Sequence, residues 1–170
     1  MRYCSVLLAL ILGSAANADD VLIGAGSMLN NIERTGSGPL IDVTARKSGL
    51  IHGLDGHIGL THVIRSDFGN HHGSAQFVTA GLAKPWVLQH DMELRAGGGL
   101  LVAVHYAWGD HYKPPMEDGA TYKAECLFCG YFLQGSVSWK RLELTLRYTS
   151  TDPNLWTSYN GAIVMLAYRL

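Results

Sequence analysis

The chain lacks the features that mark helical membrane proteins, nucleic-acid-binding proteins and disulfide-rich secreted domains. After residue 18, no window approaches the length of a membrane-spanning helix without glycine or charge. Lysine and arginine number 13 against 14 acidic residues and form no basic run, so no nucleic-acid partner is expected. Only three cysteines are present, and helix-period stretches are scarce after the first 18 residues. Abundant glycine with aromatic and β-branched residues instead favours an all-β protein.

The first 18 residues have the pattern of a secretory signal peptide. Arg2 supplies the positive start, Val6 to Leu12 the apolar core, and Ala16-Asn17-Ala18 the small-residue cleavage site. The apolar run is too short for a membrane-spanning helix. We therefore expect export and removal of residues 1–18, which leaves residues 19–170 as a single domain.

Eight strand candidates follow, joined by alternately long and short connections. They are Val21–Asn30, Leu40–Lys47, His57–Arg65, Ala75–Ala83, His90–His105, Tyr122–Leu133, Lys140–Thr149 and Tyr159–Leu170. Connections are expected over Asn31–Gly38, Ser48–Gly56, Ser66–Gly73, Tyr106–Thr121, Gln134–Trp139 and Ser150–Ser158, with Lys84-Pro85 ending the fourth strand. An even number of strands with longer loops after each odd strand is typical of small outer-membrane barrels. We predict an all-β, eight-stranded antiparallel up-and-down outer-membrane β-barrel with both termini on the periplasmic side.

The last two strands carry the clearest two-faced pattern. One face of each is apolar: Leu142, Leu144, Leu146 and Tyr148 in the first, and Val164, Leu166, Tyr168 and Leu170 in the second. A charge on the lipid face near mid-membrane costs about 2–4 kcal/mol, so we expect Glu143 and Arg147 to point inward and pair there. Soluble barrels have the opposite arrangement, with apolar side chains inside. A secreted soluble barrel that binds a small apolar ligand therefore stays open as an alternative.

Cysteines and histidines give no recognised metal or redox pattern. On a strand, Cys126 and Cys129 would point to opposite faces, so a disulfide between them needs a local bulge or turn. Free thiols and a local disulfide both stay open. His52, His57 and His62 recur every five residues and alternate between faces, without acidic or cysteine ligands at a recognised spacing. We expect no metal and no other cofactor.

The C-terminal stretch Leu144-Thr-Leu-Arg-Tyr-Thr-Ser-Thr-Asp-Pro-Asn154, with the strand to Leu170, resembles the end of the PagL-type lipid A deacylases. The segment from Lys84 to Val104, with Glu93 and its glycine cluster, is similar to the central part of that family. The resemblance implies an outer-membrane barrel that hydrolyses an acyl ester of lipid A. It also implies contact with outer-membrane lipid (lipopolysaccharide) and insertion by the barrel-assembly machinery through the C-terminal strand.

The resemblance also implies a catalytic site at the outer mouth of the barrel. Ser150 matches the family's serine nucleophile. Tyr148 stands where the histidine belongs, Thr151 at the asparagine of the oxyanion position, and Asn160 approximately where the acid belongs. A serine hydroxyl needs a base beside it, which imidazole provides at neutral pH, whereas a phenol holds its proton. Asn160 cannot stabilise an imidazolium as a carboxylate would.

Other interpretations of the same residues stay open. Ser150 and Thr151 suit a turn before the following Asp-Pro, and Tyr148 suits an interfacial aromatic belt. His105 and His111, beside the longest loop, are the candidate replacements for the missing base. Lipid A ester hydrolysis is the leading function that the sequence suggests. The alternative is a non-catalytic outer-membrane barrel of the adhesion or serum-resistance kind, which acts through its outer loops.

Overall fold

In the computed structural model, the described residues form one closed barrel of eight antiparallel strands in chain order. The structure describes residues 13, 16–30, 38–68, 71–89, 91–110, 121–151 and 161–170, and of residues 30, 65–68, 71–73, 105–110 and 121–128 the backbone alone. The strands are β1 (Asp20–Asn30), β2 (Gly38–Ile51), β3 (Leu54–Phe68), β4 (His71–Gln89), β5 (Met92–Asp110), β6 (Thr121–Trp139), β7 (Leu142–Thr151) and β8 (Gly161–Arg169). The predicted fold class is confirmed.

Strand register sets the tilt of the barrel wall. A path through paired residues that starts at Asp20 on β1 passes each strand once and returns to β1 at Asn30, ten residues further along. With ordinary strand spacing and rise, a shear of ten over eight strands tilts the strands by about 40° from the barrel axis. Residues that are distant in sequence can therefore lie at the same depth inside the barrel.

Burial alternates along the strands with charged and apolar sets on opposite faces. On β7, Glu143 and Arg147 are buried inside the barrel, while Leu144 and Leu146 are more than half exposed on its outer wall. This is the arrangement that the sequence predicted for a membrane barrel, and it is opposite to that of a soluble one. Among the described residues, no helix has the length and apolar character that crossing a membrane requires.

Several strands are longer than the sequence predicted. The stretch Ser66–Gly73, expected as a loop, is paired up to Phe68 and His71, and the expected connection Gln134–Trp139 belongs to β6. β4 also continues through Pro85. Its pairing with β3 ends at Ala83, so the missing N–H of Pro85 interrupts no ladder on that side. Pairing with a neighbouring strand has overridden the local turn signals.

Three short turns close one end of the barrel. The turn between β2 and β3 consists of His52 and Gly53, both with positive φ, as the twist of a two-residue hairpin requires. Asp91 and Lys140, in the two other turns at this end, also have positive φ. Short turns face the periplasm in outer-membrane barrels, so we call this end the turn end and the opposite end the outer end.

Candidate functional sites

The lower interior, near the turn end, is filled by paired charges. The carboxylate of Glu143 accepts hydrogen bonds from both terminal nitrogens of Arg46, at 3.0 and 2.7 Å, and from Nη1 of Arg95 at 3.3 Å. Arg95 in turn donates to Asp55 at 3.3 Å and to Glu93. Isolated charges in an interior are costly, whereas paired and hydrogen-bonded charges are tolerated. Glu143 is thus the centre of a network that links β2, β3, β5 and β7 across the barrel.

A second polar cluster lies above it. Arg147 donates to Oγ1 of Thr61 at 3.0 Å and to Oε1 of Gln134 at 3.1 Å, and it lies 3.5 Å from Asp42. Its guanidinium also stacks over the ring of Phe132, 5.4 Å from the ring centroid. The enclosed space among these polar side chains measures about 20 Å³, which holds a single water molecule. The lower interior is therefore a packed plug.

The upper interior, towards the outer end, is mostly apolar, with Thr149 and Thr151 of β7 buried beside it. Its buried side chains come from seven strands: Met28, Leu40, Val63, Ala75, Phe77, Leu101, Ala103, Phe132, Ile163 and Met165. Phe77, Phe132 and Ile163 have no exposed surface at all. Phe132 joins the two halves, because its ring also contacts His57 edge-on with centroids 5.5 Å apart. Across the described residues, both halves of the interior are thus occupied by side chains.

The outer wall carries an apolar belt between two sets of aromatic residues. Large aliphatic side chains are exposed around the wall, among them Ile23, Ile41, Ile64, Leu100, Leu133, Leu144, Leu146 and Leu166. Trp86, Trp139 and Tyr168 are exposed towards the turn end, and Tyr131 and Tyr148 towards the outer end. Trp139 and Tyr131 are eight residues apart on β6. This separation corresponds to about 20 Å along the barrel axis, close to the height of a membrane-facing band.

The residues of the predicted catalytic site fall on different faces. Tyr148 is 45% exposed on the outer wall, and Ser150 follows on the same side, opposite Tyr131 of β6. Thr151 is 2% exposed and points into the barrel, so its hydroxyl does not share a face with that of Ser150. Asn160 lies outside the described residues. The structure therefore brings together Tyr148 and Ser150 at the upper aromatic level.

No imidazole among the described side chains lies beside Ser150. His57 and His62 are on β3, four strands around the barrel from β7, and His52 is in a turn at the opposite end. Nε2 of His57 and Nδ1 of His62 are buried without a hydrogen-bond partner. The side chain of His105 and the whole of His111 lie outside the described part. His52, His57 and His62 form no metal-binding cluster among the described residues.

Cys129 is a free thiol, exposed on the outer wall of β6. Of Cys126, the other cysteine of the predicted pair, the structure describes the backbone only.

At the turn end, Nζ of Lys47 donates a hydrogen bond to the exposed Asp19 carboxylate at 2.7 Å, and the backbone N–H of Ser48 donates another at 2.8 Å. The hydrogen bond from Lys47 is the main cause that lowers the pKa of Asp19.

Solved structures of small outer-membrane proteins share this architecture, and two of them are compared here. Neisserial surface protein A aligns with a TM-score of 0.57 and 11% identity, over 89% of this chain and 94% of that one. Ail, the attachment invasion locus protein of Yersinia pestis, aligns with a TM-score of 0.51 and 12% identity, over 89% and 97%. The chain has the fold of the small outer-membrane β-barrels. No protein-family model and no curated protein matches it, so the resemblance to the deacylases gains no support from these comparisons.

The described strands of this outer-membrane-type barrel reach different heights. Among the described residues, β7 extends to Thr151, one residue beyond Ser150, whereas β6 continues for ten residues above Tyr131, the partner of Ser150. Ten residues at this tilt rise about 25 Å. β3, β4 and β5 also extend beyond the belt, and we call the part of these four strands above it the outer extension. It comprises Ser66–Phe68, His71–Gly73, His105–Asp110 and Thr121–Cys129. Sequence analysis predicted most of the β6 part as a strand, Tyr122–Leu133, but interpreted Ser66–Gly73 and the residues from Tyr106 to Asp110 as loops.

Proposed function

We propose that the protein is a non-catalytic outer-membrane barrel that recognises partners at the cell surface through its outer extension and the connections it supports. This is the adhesion-type alternative of the sequence analysis. The observation that carries it is the contrast between a plugged interior and described strands that rise beyond the belt, β6 by about 25 Å.

The outer wall supports a location in the outer membrane. An apolar belt of this size on a soluble protein would expose far more contiguous apolar surface than soluble monomers carry. In lipid, the same side chains are favourably placed, and the aromatic residues at both edges suit the two interfaces. The charges of the chain's membrane part are collected inside, where Glu143 and Arg147 find partners.

The interior argues against transport and against carriage of an apolar ligand. A channel needs a continuous polar lumen, but the upper interior is closed by Phe77, Leu101, Phe132 and their neighbours. A ligand carrier needs an apolar cavity, but the enclosed space among Asp42, Arg46, Glu143 and Arg147 is water-sized and polar. This supports a function at the surface of the barrel.

The outer extension provides such a surface. It is built from backbone ladders that continue from the membrane part, so it holds its connections at a fixed distance from the lipid. One of the two proteins of similar fold is an attachment invasion locus protein. We infer a function of that class, recognition of extracellular protein, for this chain.

The test is attachment of bacteria that carry the protein and lack other adhesins. In a trimmed variant, His105 and Cys126, which are paired in the structure, would be joined by an Asn-Gly turn that replaces residues 106–125. Cells with the full-length protein should attach to surfaces coated with extracellular matrix protein, and cells with the trimmed variant should not. Equal attachment by both would overturn the proposal.

A control confirms that trimming spares the barrel. The trimmed variant should still be folded in outer-membrane fractions, seen as a mobility shift on heating before electrophoresis. A second variant, Leu100→Ala, changes the lipid-facing wall and leaves the outer extension intact. It should attach like the full-length protein.

Lipid A hydrolysis is the second candidate, favoured by the outward position of Tyr148 and Ser150 at the upper aromatic level. There, a serine on the wall would lie beside lipid of the outer leaflet. Mass spectrometry of lipid A from expressing cells tests it. Loss of an acyl chain that requires Ser150, and disappears in Ser150→Ala, would support this candidate over the first. Unchanged lipid A would remove it.

Export and assembly complete the proposal. We infer that residues 1–18 direct export and are removed, and that the β8 strand is recognised by the barrel-assembly machinery. The mass of the protein purified from outer membranes should then correspond to a chain that begins at Asp19. Retention of the first 18 residues in that material would contradict the signal-peptide assignment.

A further inference from the structure

A row of exposed side chains crosses four neighbouring strands on the outer wall at the turn end. It consists of Met92 of β5, Trp139 of β6, Leu142 of β7 and Tyr168 of β8, each of which lies directly opposite the next. All four side chains are more than one-third exposed. We call them the lower row. In an outer membrane, the lower row would lie at the edge of the apolar belt, where the acyl chains of the periplasmic leaflet meet their headgroups.

Two consecutive cations lie directly below the lower row. Lys140 and Arg141 form the two-residue turn between Trp139 and Leu142. The ammonium of Lys140 stands over the Trp139 ring, 5.1 Å from the ring centroid. Nη1 of Arg141 donates a hydrogen bond to the hydroxyl of Tyr168 at 3.2 Å. Both cations are therefore held at the outer wall by aromatic side chains of the lower row.

These aromatic contacts do not neutralise the two positive charges. Among the described residues, neither Lys140 nor Arg141 forms an ion pair with a carboxylate. Asp91 lies in the adjacent turn and its carbonyl accepts the N–H of Lys140 at 3.1 Å, but the two side chains do not pair. The exposed Lys47 at the same end is different, because its ammonium contacts the Asp19 carboxylate at 2.7 Å. The β6–β7 turn is thus a site of uncompensated positive charge.

We propose that Lys140 and Arg141 bind the phosphate of an anionic glycerophospholipid of the periplasmic leaflet, such as phosphatidylglycerol, while the lower row packs against its acyl chains. A guanidinium can donate two hydrogen bonds to a phosphate, and the ammonium adds a second charge. A zwitterionic headgroup suits the site less well, since its own ammonium is repelled by the two cations. This inference goes beyond the proposed recognition function and does not depend on the outer extension.

A lipid fits this site better than a soluble partner. On the same face, directly above the lower row, Leu144 and Leu166 lie opposite each other and are both more than half exposed. An acyl chain can continue over them into the belt, whereas a soluble protein would have to displace lipid from Trp139 and Tyr168. The wall therefore offers charge at the headgroup level and apolar surface above it.

The probe for the test is phosphatidylglycerol, compared with phosphatidylcholine that carries the same acyl chains. Each lipid is titrated into the refolded barrel in detergent micelles, and bound lipid is counted by native mass spectrometry. We expect phosphatidylglycerol to bind about fivefold more tightly or better, which corresponds to one cation at a membrane surface. Equal binding of the two lipids would overturn the proposal.

The double variant Lys140→Asn/Arg141→Gln removes both charges and preserves the turn. Lys140 has a φ of 54°, a left-handed conformation that asparagine adopts more readily, and a glutamine amide can still donate to Tyr168. The variant should bind phosphatidylglycerol more weakly by about fivefold per cation, or about 25-fold in all, with phosphatidylcholine binding unchanged. Heat-dependent mobility on electrophoresis checks that the barrel is folded. Unchanged binding of phosphatidylglycerol by the folded variant would contradict the proposal.

The matched control is Lys47→Gln, which removes an exposed charge from the same end of the barrel. Because Lys47 is already paired with Asp19, this variant should bind phosphatidylglycerol within about twofold of the unmodified protein. An equal loss in the control and in the double variant would show a dependence on net charge alone and would overturn the proposal.

Two competitors distinguish the possible sources of the phosphate. Glycerol phosphate has the phosphate without acyl chains, so it should not displace phosphatidylglycerol at equal concentration. Displacement at equal concentration would show that the lower row contributes nothing, and would contradict the proposal. Lipid A also carries phosphates. If it bound more tightly than phosphatidylglycerol and the double variant abolished that binding, the site would belong to lipid A and the proposal would be wrong.

Discussion

Below Phe132, the barrel interior is held by paired charges, and above it by apolar side chains, although the same eight strands build both halves. In the lower half, three arginines and their acids reach across the barrel to one another. In the upper half, apolar side chains of seven strands pack together, and β7 adds the buried threonines Thr149 and Thr151. The lower half fixes partners by charge and geometry, whereas the upper half depends on close packing. Substitutions in the two halves should therefore differ in how much they lower the free energy of unfolding, and in how strongly this loss depends on neighbouring residues.

The largest effect is expected from Glu143→Ala in the lower half. Removing this carboxylate leaves the guanidinium groups of Arg46 and Arg95 buried with fewer partners. The free energy of unfolding should fall by about 3–5 kcal/mol. Urea titration of the detergent-refolded barrel, followed by tryptophan fluorescence, measures it. Glu93→Gln is the matched control: the Glu93 side chain is 22% exposed at the rim and pairs with Arg95. Equal losses in both variants would mean that Glu143 is not the centre of the network.

A smaller loss is expected from Leu101→Ala in the upper half. Leu101 is 1% exposed within the apolar cluster, so the substitution leaves a cavity and should cost about 2–5 kcal/mol in the same titration. Its neighbour Leu100, 73% exposed on the outer wall of the same strand, provides the control. Leu100→Ala should cost far less, because the lost surface faces lipid or detergent. The reverse order of the two losses would show that the assignment of inner and outer faces is wrong.

The smallest effect is expected at the rim, outside both halves, from Asp19→Asn. The hydrogen bond from Lys47 lowers the pKa of Asp19 below that of an unpaired aspartate, so the folded state favours the carboxylate. The stability that this pair adds is present above pH 4, roughly, and is lost as the pH falls through the lowered pKa. The difference in urea midpoint between the unmodified protein and Asp19→Asn should be small at pH 7, smaller in high salt, and absent at low pH. A difference in urea midpoint that grows on acidification would contradict a stabilising role of the Asp19 carboxylate.

Face assignment could be predicted from the sequence, because alternation along β7 separates Glu143 and Arg147 from the leucines between them. The depth at which each inward residue lies along the barrel axis could not be predicted in this way. Phe77, Leu101 and Ile163 meet only because of the shear, which depends on pairing between strands far apart in sequence. Strand ends were also missed for this reason: Ser66–Gly73 and Pro85 carry turn signals that pairing overrides.

For the candidate site, too, the faces of the residues could be predicted from the sequence, but their contacts could not. Alternation placed Tyr148 and Ser150 together on the outer wall, and the same alternation turns Thr151 inward. Whether a base approaches Ser150 depends on the connections at the outer end, which local patterns do not determine. The resemblance to the deacylases places Tyr148, not a histidine, at the position of the base for Ser150. The described histidines of β3 lie on the opposite wall.

The proposed recognition function depends on which end of the barrel faces the cell surface. The most direct measurement is antibody labelling of intact cells that carry the protein with an epitope tag inserted either between residues 111 and 120 or between His52 and Gly53. Labelling of the first tag on intact cells, and of the second only after the outer membrane is permeabilised, is the expected result. Labelling of the second tag alone on intact cells would place the outer extension in the periplasm and contradict a role in surface recognition.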